Sequence, residues 1–298
     1  MIFGSVNIYS LSVQLGGDDA PHEFRRQVNE PDPDCLPAAR TMHRLRQVDE
    51  LALALDAAGT SIGKNRSRFL HAFYSMPDAD VWVSCDDDVE ASFETLRWLV
   101  EAVRDTRGVC IAPCLLRRKQ PVVNIMFESA GILRPLSNGG HAVRCLAGGF
   151  GLVAVHRDVA TRIYAEREDL AWLDDVDGLE KRAAFIETYD AIDRKWWGED
   201  LSFCLATVPK DVRIECLVSG HTVHDGKLLD LSQVPSQARL SLPSGASLTA
   251  NGQVDCPHCG QKGRIPTLIP PTCQHCGKRL DEPPTRSDLP RALQGDAP

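Results

Sequence analysis

Three consecutive aspartates, Asp86, Asp87 and Asp88, directly follow an apolar run that ends at Cys85. Adjacent carboxylates repel one another, and burying them is costly unless a cation neutralises the group. If the run is a strand, Asp86 and Asp88 lie on one side of it and Asp87 on the other. Two hard oxygen ligands on one side suit Mg²⁺ or Mn²⁺. The pattern therefore predicts a divalent-metal site at a strand end. The alternative is a solvated loop in which Asp88 caps the next helix.

A second acidic pair, Glu199 and Asp200, lies between Trp196-Trp197 and the apolar start of a helix. An apolar environment raises the pKa of a carboxyl group, which suits a general base that deprotonates a hydroxyl group. The alternative is that Asp200 is the N-cap of a helix over Leu201–Ala206.

Two Cys-x-x-Cys pairs near the end of the chain are separated by thirteen residues. Each pair places two thiolates on one tight turn, and two such turns complete a tetrahedral structural zinc site. We expect Zn²⁺ on Cys256, Cys259, Cys273 and Cys276, with a redox dithiol or disulfide as the rival interpretation. The module either stabilises a small domain or contacts nucleic acid or a partner through its modest excess of basic residues.

The other seven cysteines are scattered, mostly in apolar stretches, and are expected to be reduced core residues. They are Cys35, Cys85, Cys110, Cys114, Cys145, Cys204 and Cys216. The N-terminus lacks the basic and long apolar regions of a signal peptide, and no apolar run has the length of a membrane span. These features favour a cytoplasmic protein with no membrane partner.

The net charge of −8 argues against a protein that coats nucleic acid by bulk electrostatics. Local basic stretches remain at Arg40–Arg68 and Arg117–Lys119. A chain of 298 residues has room for one large domain and a small one. We expect a catalytic domain over Met1–Leu231, a linker over Ser232–Gly252, a zinc ribbon over Gln253–Leu280 and a disordered tail over Asp281–Pro298.

Strands and helices are expected to alternate in the first half of the chain. Apolar runs predict strands over Ile2–Tyr9, Asp80–Cys85 and Val109–Ala112, and helical spacing predicts helices over Thr41–Ala58, Asn65–Tyr74 and Phe93–Arg104. This alternation implies an α/β sheet centred on parallel strands.

The pattern is weaker beyond Pro113. Ala147–His156 is expected to contain a strand, and Asp158–Tyr164 a helix with Asp158 as its N-cap. Arg167–Lys195 is highly charged with helical stretches, which suggests a lid or an insertion.

Several short motifs, in this order, resemble those of the GT-A-type glycosyltransferases, which transfer sugars from nucleotide diphosphosugars. The motifs are Gly63-Lys64-Asn65-Arg66, Val83–Glu90, Gly148–Val159, Trp197–Cys204 and Ser219-Gly220-His221. The resemblance covers most of Met1–Lys227. It implies an α/β fold with a GT-A-like, Rossmann-type mixed sheet flanked by helices.

The resemblance also implies roles for individual residues. Asn65, Arg66, Asp86, Asp87 and Gly149 would face the nucleotide-sugar, for which a UDP-sugar is the default. Asp86, Asp88 and His221 would hold Mn²⁺ or Mg²⁺, with His224 as the rival to His221. Asp200 is the preferred general base, with Glu199 beside it. For Arg66 the alternative is a position on the solvated face of a basic helix.

These features predict a metal-dependent glycosyltransferase that acts on a hydroxyl acceptor. The ribbon, the basic stretches and the missing membrane anchor suggest a macromolecular acceptor, such as a hydroxymethylated base in DNA; a protein or a soluble glycan is the rival. A non-catalytic binding module on a degenerate transferase fold is a second hypothesis, which the intact carboxylate blocks oppose. A nucleotidyltransferase is a third, although a Gly-rich phosphate loop is not evident near the N-terminus.

Overall fold

The computed structural model describes residues 1–7, 20–30, 36–56, 61–115, 123, 125–127, 133–190, 195–234, 254–255 and 262–263. The helices are α1 (Ala20–Asn29), α2 (Pro37–Val48), α3 (Ile62–Tyr74), α4 (Phe93–Thr106), α5 (Arg157–Glu166) and α6 (Glu199–Ser202). The strands are β1 (Ile2–Asn7), β2 (Leu51–Asp56), β3 (Val81–Asp86), β4 (Val89–Ala91), β5 (Val109–Ile111), β6 (Ile125–Phe127), β7 (Leu133–Pro135), β8 (His141–Gly148), β9 (Leu152–His156), β10 (Ala171–Leu173), β11 (Glu180–Arg182), β12 (Thr188–Asp190), β13 (Lys195–Trp197), β14 (Ile214–Leu217), β15 (His221–His224), β16 (Lys227–Asp230), β17 (Val254–Asp255) and β18 (Lys262–Gly263).

A nine-stranded sheet forms the centre of the molecule, in the order β2-β1-β3-β9-β5-β14-β8-β6, with β7 also paired to β8. β1 runs parallel to β2 and β3, and β14 runs parallel to β5. β9 lies between β3 and β5 and is antiparallel to both. The sheet is therefore mixed.

Helices cover both faces of this sheet. Phe3 and Trp82 are in register on β1 and β3, and their rings lie 6.1 and 6.4 Å from that of Phe73 on α3. A Cβ on Gly4, the next residue of β1, would lie 3.0 Å from the sulfur of Met42 on α2. Because successive strand positions point to opposite faces, α2 and α3 lie on opposite sides. The prediction of a mixed sheet flanked by helices is confirmed.

The predicted helix over Thr41–Ala58 is wrong in its second half. α2 ends at Val48, and Leu51–Asp56 forms β2, paired in parallel with β1 along its whole length. A short run of Leu and Ala is compatible with a buried strand as well as with a helix. The partner strand decides between the two.

The predicted cap Asp158 is wrong, and the alternative role of Asp88 as a cap is excluded. The N-cap of α5 is His156, whose Nδ1 accepts a hydrogen bond from the N–H of Asp158 at 3.1 Å. Ser92 caps α4 and accepts from the N–H of Thr95 at 3.1 Å. Asp88 is therefore not a helix cap, because β4 separates the three aspartates from α4.

The charged segment Arg167–Lys195 contains short hairpins where helical stretches were predicted. A single 3₁₀ turn, Glu168–Leu170, precedes β10, which pairs with β11, and β12 pairs with β13. A further small sheet has the order β16-β15-β4. Because β4 directly follows the three aspartates, this sheet brings β15 close to them.

The described cysteines outside the ribbon are free, as predicted. Five of them are buried and Cys114 is partly buried, whereas Cys35 lies outside the described residues. Leu231 and Val234 are fully buried in the core, so the packed domain continues past Leu231. In the part of the chain that is described, the helices are too short or too polar to span a bilayer.

The four ribbon cysteines lie outside the described residues, as do the segments 235–253 and 264–298. β17 and β18 are described, and they pair in antiparallel fashion, Val254 with Gly263 and Asp255 with Lys262. They flank the segment that contains Cys256 and Cys259.

Candidate active site

The three aspartates lie at the carboxyl end of β3, a central strand of the sheet. Asp86 ends the strand, and its N–H donates to the carbonyl of Gly151 at 2.9 Å. The side chains of Asp86 and Asp88 are 23% and 20% exposed, whereas Asp87 is buried. Asp87 and Asp88 lie in the turn between β3 and β4, which buries the middle carboxylate and leaves the outer two partly exposed.

Arg66, in the second turn of α3, joins two carboxylates that are far apart in sequence. Its Nη2 donates to Asp86 Oδ1 at 2.8 Å, and its Nη1 donates to Glu199 Oε1 at 2.7 Å. The carbonyl of Phe150 accepts a third hydrogen bond from Nη2 at 3.0 Å. The Arg66 side chain is only 2% exposed, which excludes a position on a solvated helix face. Burial alone would lower its pKa, but Asp86 and Glu199 raise it, so the guanidinium remains charged.

Glu199 combines burial with this ion pair. Removal from water raises the pKa of its carboxyl group above the ordinary value of 4.5, and this effect outweighs the opposing effect of Arg66. The nearby charges of Asp200 and Asp86 add to the rise. A carboxylate with a raised pKa is a stronger proton acceptor. Glu199 therefore has the property that the sequence suggested for a general base.

Asp200, the preferred base in the sequence prediction, has a different environment. Its Oδ1 accepts a hydrogen bond from the N–H of Leu201 at 2.7 Å. The N-cap of α6 is Gly198, so Asp200 does not cap that helix. Asp200 lies in the first turn of α6, directly after Glu199.

His224, not His221, lies beside the aspartates. The antiparallel pairing of β15 with β4 places His224 opposite Val89, and its Nε2 is 3.3 Å from Asp88 Oδ2. His221 starts the same strand, where its backbone exchanges hydrogen bonds with the hydroxyl of Thr95 at 3.0 Å. It lines a separate cavity of about 290 Å³. The geometry thus favours the rival histidine as the partner of Asp88.

The donor set at this position fits a divalent cation. The Nδ1 of His224 is hydrogen-bonded to the carbonyl of Leu115, which can only accept, so Nδ1 carries the proton. In the neutral ring, Nε2 then presents its lone pair towards Asp88, as in metal-binding histidines. Among the described residues there is no group of three or more ligating side chains. Most of the coordination shell of Mg²⁺ or Mn²⁺ at this pair would therefore have to come from groups other than these two side chains.

A cavity of about 800 Å³ opens beside Glu199. Its walls come from the first residues of α3, from the segment that follows β11, from β10 and from α6. The lining residues are Ser61, Ile62, Gly63, Lys64, Ser67, Trp172, Ala183, Phe185, Ile186, Glu187 and Glu199.

The wall formed by α3 and the segment after β11 is closely packed. A Cβ on Gly63 would lie 2.1 Å from the carbonyl oxygen of Phe185, so only glycine fits there. The N–H of Phe185 donates to the hydroxyl of Ser67 at 3.2 Å, and its ring stacks on Phe203 with centroids 4.3 Å apart.

The other residues that were predicted to face the nucleotide-sugar also lie near this cluster. Asn65 is buried on α3, one residue before Arg66. Gly149 lies in the loop between β8 and β9, next to Phe150, whose carbonyl accepts from Arg66. The ribbon cysteines cannot be placed relative to the site, because they lie outside the described residues.

Two features of the site were missed in the sequence. Trp172 lines the cavity, and the Nζ of Lys64 lies 5.3 Å from its ring centroid. Asp174 is fully buried and forms a bidentate ion pair with Arg68 of α3, with both hydrogen bonds at 2.8 Å. The clustered acids around Asp174 are visible in the sequence. Their partner on α3 is not, because it lies 106 residues away.

No protein-family model matches this sequence, and no curated protein matches it significantly. Solved structures show distant likeness. A protein of STIV has a TM-score of 0.43 and 15% identity, over 85% of this chain and 92% of that one. A glycosyltransferase involved in glycosylation of the major capsid of PBCV-1 has a TM-score of 0.28 and 10% identity, over 59% and 71%. An apo UDP-glucose pyrophosphorylase has a TM-score of 0.31 and 11% identity, over 79% and 78%. Because these TM-scores are below 0.5, the likeness does not indicate a function.

Proposed function

We propose that the protein is a metal-dependent glycosyltransferase that moves a sugar from a nucleoside diphosphosugar, by preference a UDP-sugar, to a hydroxyl acceptor. The observation that carries this proposal is the bridge from Asp86 through Arg66 to Glu199. It joins the acidic end of β3 to a carboxyl group with a raised pKa.

Each part of the cluster has a role in this reaction. Asp88 and His224 are the residues that would hold the cation, with Asp86 on the nucleotide side. A divalent cation there would neutralise the charge that develops on the leaving diphosphate. Glu199 accepts the proton of the acceptor hydroxyl. The negative charge of the adjacent Asp200 helps to raise the pKa of Glu199. Arg66 fixes Asp86 and Glu199 relative to each other.

The experiment is a screen of nucleotide-sugars for release of the nucleoside diphosphate in the presence of Mn²⁺, with water as the acceptor. We expect turnover of at least one UDP-sugar, and loss of activity on the order of a hundredfold in Asp88→Ala. Asp211→Ala is the matched control, because Asp211 is exposed and pairs with Arg162 at the surface. It should behave like the wild type.

Other outcomes would contradict the proposal. Incorporation of labelled pyrophosphate into a nucleoside triphosphate, with release of the sugar 1-phosphate from the nucleotide-sugar and no release of the nucleoside diphosphate, would identify a nucleotidyltransferase. Absence of turnover with every donor, in a protein that binds nucleotide-sugars, would favour the non-catalytic binding module.

We also infer that Cys256, Cys259, Cys273 and Cys276 bind one structural Zn²⁺. Their spacing supports this inference, as does the antiparallel pairing of β17 with β18 on either side of the first pair. Metal analysis of the purified chain should find about one zinc per molecule. Cys259→Ser should lose it, whereas Cys204→Ser, which alters a buried core thiol, should retain it. Retention of zinc in Cys259→Ser would contradict this ligand set.

A further inference from the structure

The large cavity meets the cluster at Glu199, not at the metal-binding end. Glu199 lines the cavity, whereas Asp86, Asp88 and His224 do not. Arg66 lies between the two groups and contacts both Asp86 and Glu199. The cavity therefore opens on the side of the proton acceptor, away from the position of the diphosphate.

A general base must lie within hydrogen-bond reach of the proton that it removes. In the proposed transfer, the acceptor oxygen attacks the anomeric carbon of the donor, and the bond from that carbon to the diphosphate oxygen breaks. The electron pair of that bond leaves with the diphosphate, and the hydroxyl proton goes to the Glu199 carboxylate. The acceptor hydroxyl must therefore lie at the Glu199 wall, and the rest of the acceptor has the cavity beside it.

The walls of the cavity combine flat apolar surfaces with a few polar groups. Trp172 and the exposed Ile186 provide the apolar surfaces, whereas Phe185 is only 3% exposed and contributes little. Glu187 and Lys64 provide hydrogen-bonding groups. A sugar ring presents C–H groups on its faces and hydroxyl groups at its edge, which match an aromatic surface and carboxylate acceptors respectively. The volume of about 800 Å³ is in the range of small-molecule sites.

The charge around the cavity opposes a polyanionic acceptor. Residues 168–187 contain two basic side chains, Lys181 and Arg182, and seven acidic ones. The acidic residues are Glu168, Asp169, Asp174, Asp175, Asp177, Glu180 and Glu187. Asp175 is 72% and Glu180 66% exposed. Lys181 and Arg182 are both ion-paired with acids of the same segment, so they are not free to neutralise the phosphates of a nucleic acid.

The Trp172 wall is held in place before any acceptor binds. Asp174, which follows β10, is fully buried and receives the guanidinium of Arg68 and the ammonium group of Lys181. The Nζ of Lys64 also contacts Asp175 at 2.6 Å. These ion pairs join the β10–β11 hairpin to α3, so Trp172 is positioned without a loss of loop entropy on binding.

We propose that this cavity is the acceptor site and that the acceptor is an uncharged saccharide, bound against Trp172 with one hydroxyl group at Glu199. The inference rests on the proposed glycosyl transfer. Of the acceptors that the sequence left open, it favours the soluble glycan over the hydroxymethylated DNA base.

Binding is tested first without a donor, by saturation-transfer NMR on the full chain with maltose, cellobiose, lactose and chitobiose. We expect at least one disaccharide to bind, and a duplex oligonucleotide with 5-hydroxymethylcytosine not to bind. Trp172→Ala should weaken disaccharide binding by about tenfold or more. Leu173→Ala is the matched control, because Leu173 is the next residue of β10 but points to solvent at 72% exposure.

A second variant covers the case in which Trp172→Ala does not fold. Glu187→Ala alters an exposed residue of the rim and should reduce disaccharide affinity several-fold with an unchanged melting temperature. With a donor present, either variant should lower the ratio of saccharide transfer to donor hydrolysis.

The outcomes separate this inference from the proposed function. Donor hydrolysis without binding of any disaccharide would overturn the acceptor site alone, as would transfer to the oligonucleotide. A rise in the donor KM of Trp172→Ala with an unchanged acceptor KM would assign the cavity to the donor. Saccharide binding without turnover of any donor would instead contradict the transferase.

Discussion

The Nε2 of His224 lies 3.3 Å from Oδ2 of Asp88, although strands β4 to β14 lie between the two residues in the sequence. The contact exists because β15 pairs with β4, the strand that directly follows the three aspartates. Since Nδ1 donates its proton to the Leu115 carbonyl, Nε2 is the ring nitrogen that faces the carboxylate. This histidine and this carboxylate are the pair that would hold the proposed divalent cation.

This relationship predicts which histidine matters for metal binding. His224→Ala should weaken Mn²⁺ binding by about tenfold or more, because removal of a ligand costs at least as much as removal of its supporting partner. His221→Ala should bind Mn²⁺ like the wild type. Titration of Mn²⁺ followed by electron paramagnetic resonance would measure both affinities. The reverse order of effects would assign the site to His221.

The raised pKa of Glu199 predicts an acid limb in the pH profile of donor hydrolysis. Below this pKa the carboxyl group is protonated and cannot accept a proton, so kcat/KM should fall as pH drops through a value above 4.5. Because Arg66 opposes the rise, its replacement in Arg66→Gln should move the limb to higher pH. The pH dependence of kcat/KM in both proteins tests this, and an unshifted limb would remove Glu199 from the role of base.

Arg66 should also be important for stability. Arg66→Gln leaves Asp86 and Glu199 without their shared cation, and we expect the free energy of unfolding to fall by about 3 kcal/mol. Urea denaturation measures this change. Arg25→Gln is a control for loss of an arginine, because Arg25 is exposed on α1 and the hydrogen bond that it donates within the described part of the chain, to the carbonyl of Leu53, is long at 3.4 Å. Equal stability of the two variants would show that the bridge contributes little.

Asp174 predicts a stability effect that depends on pH. Arg68, assisted by Lys181, holds the pKa of Asp174 well below its ordinary value of 3.8. A carboxyl group with a lowered pKa in the folded state contributes stability above the unfolded value, and this contribution declines as pH falls below 3.8 towards the folded pKa. Asp174→Asn should therefore melt below the wild type at pH 7, and the difference should shrink at low pH.

Melting temperatures at several pH values test the Asp174 prediction. Asp177→Asn is the matched control, because Asp177 belongs to the same turn but is 42% exposed and pairs only with Lys181 among the ion pairs described. It should shift the melting temperature less than Asp174→Asn. A difference for Asp174→Asn that does not vary with pH would exclude the ion pair as its cause.

The local spacing of apolar residues was sufficient to predict the elements that bury one distinct face. The strand ending at Cys85 and the helix starting at Phe93 were predicted to within a residue or two, because their apolar positions follow one period. Leu51–Asp56 was taken for a helix, since its Leu and Ala residues fit either period and the choice depends on pairing with β1. The hairpins after Arg167 were not predicted, because charged residues interrupt the alternation of apolar and polar residues by which such short strands are recognised.

The sequence by itself determined the chemistry that this protein can carry. It showed an acidic strand end, a second carboxylate pair, the class of sheet and two Cys-x-x-Cys pairs that predict a zinc site, all of which depend on residue type and local spacing. Only the tertiary structure decided which groups meet. Arg66 is buried and bridges Asp86 and Glu199. His224 lies next to Asp88, and Trp172 lines the cavity. Each of these depends on contacts between distant segments, which sheet pairing and buried charge determine and local sequence does not encode.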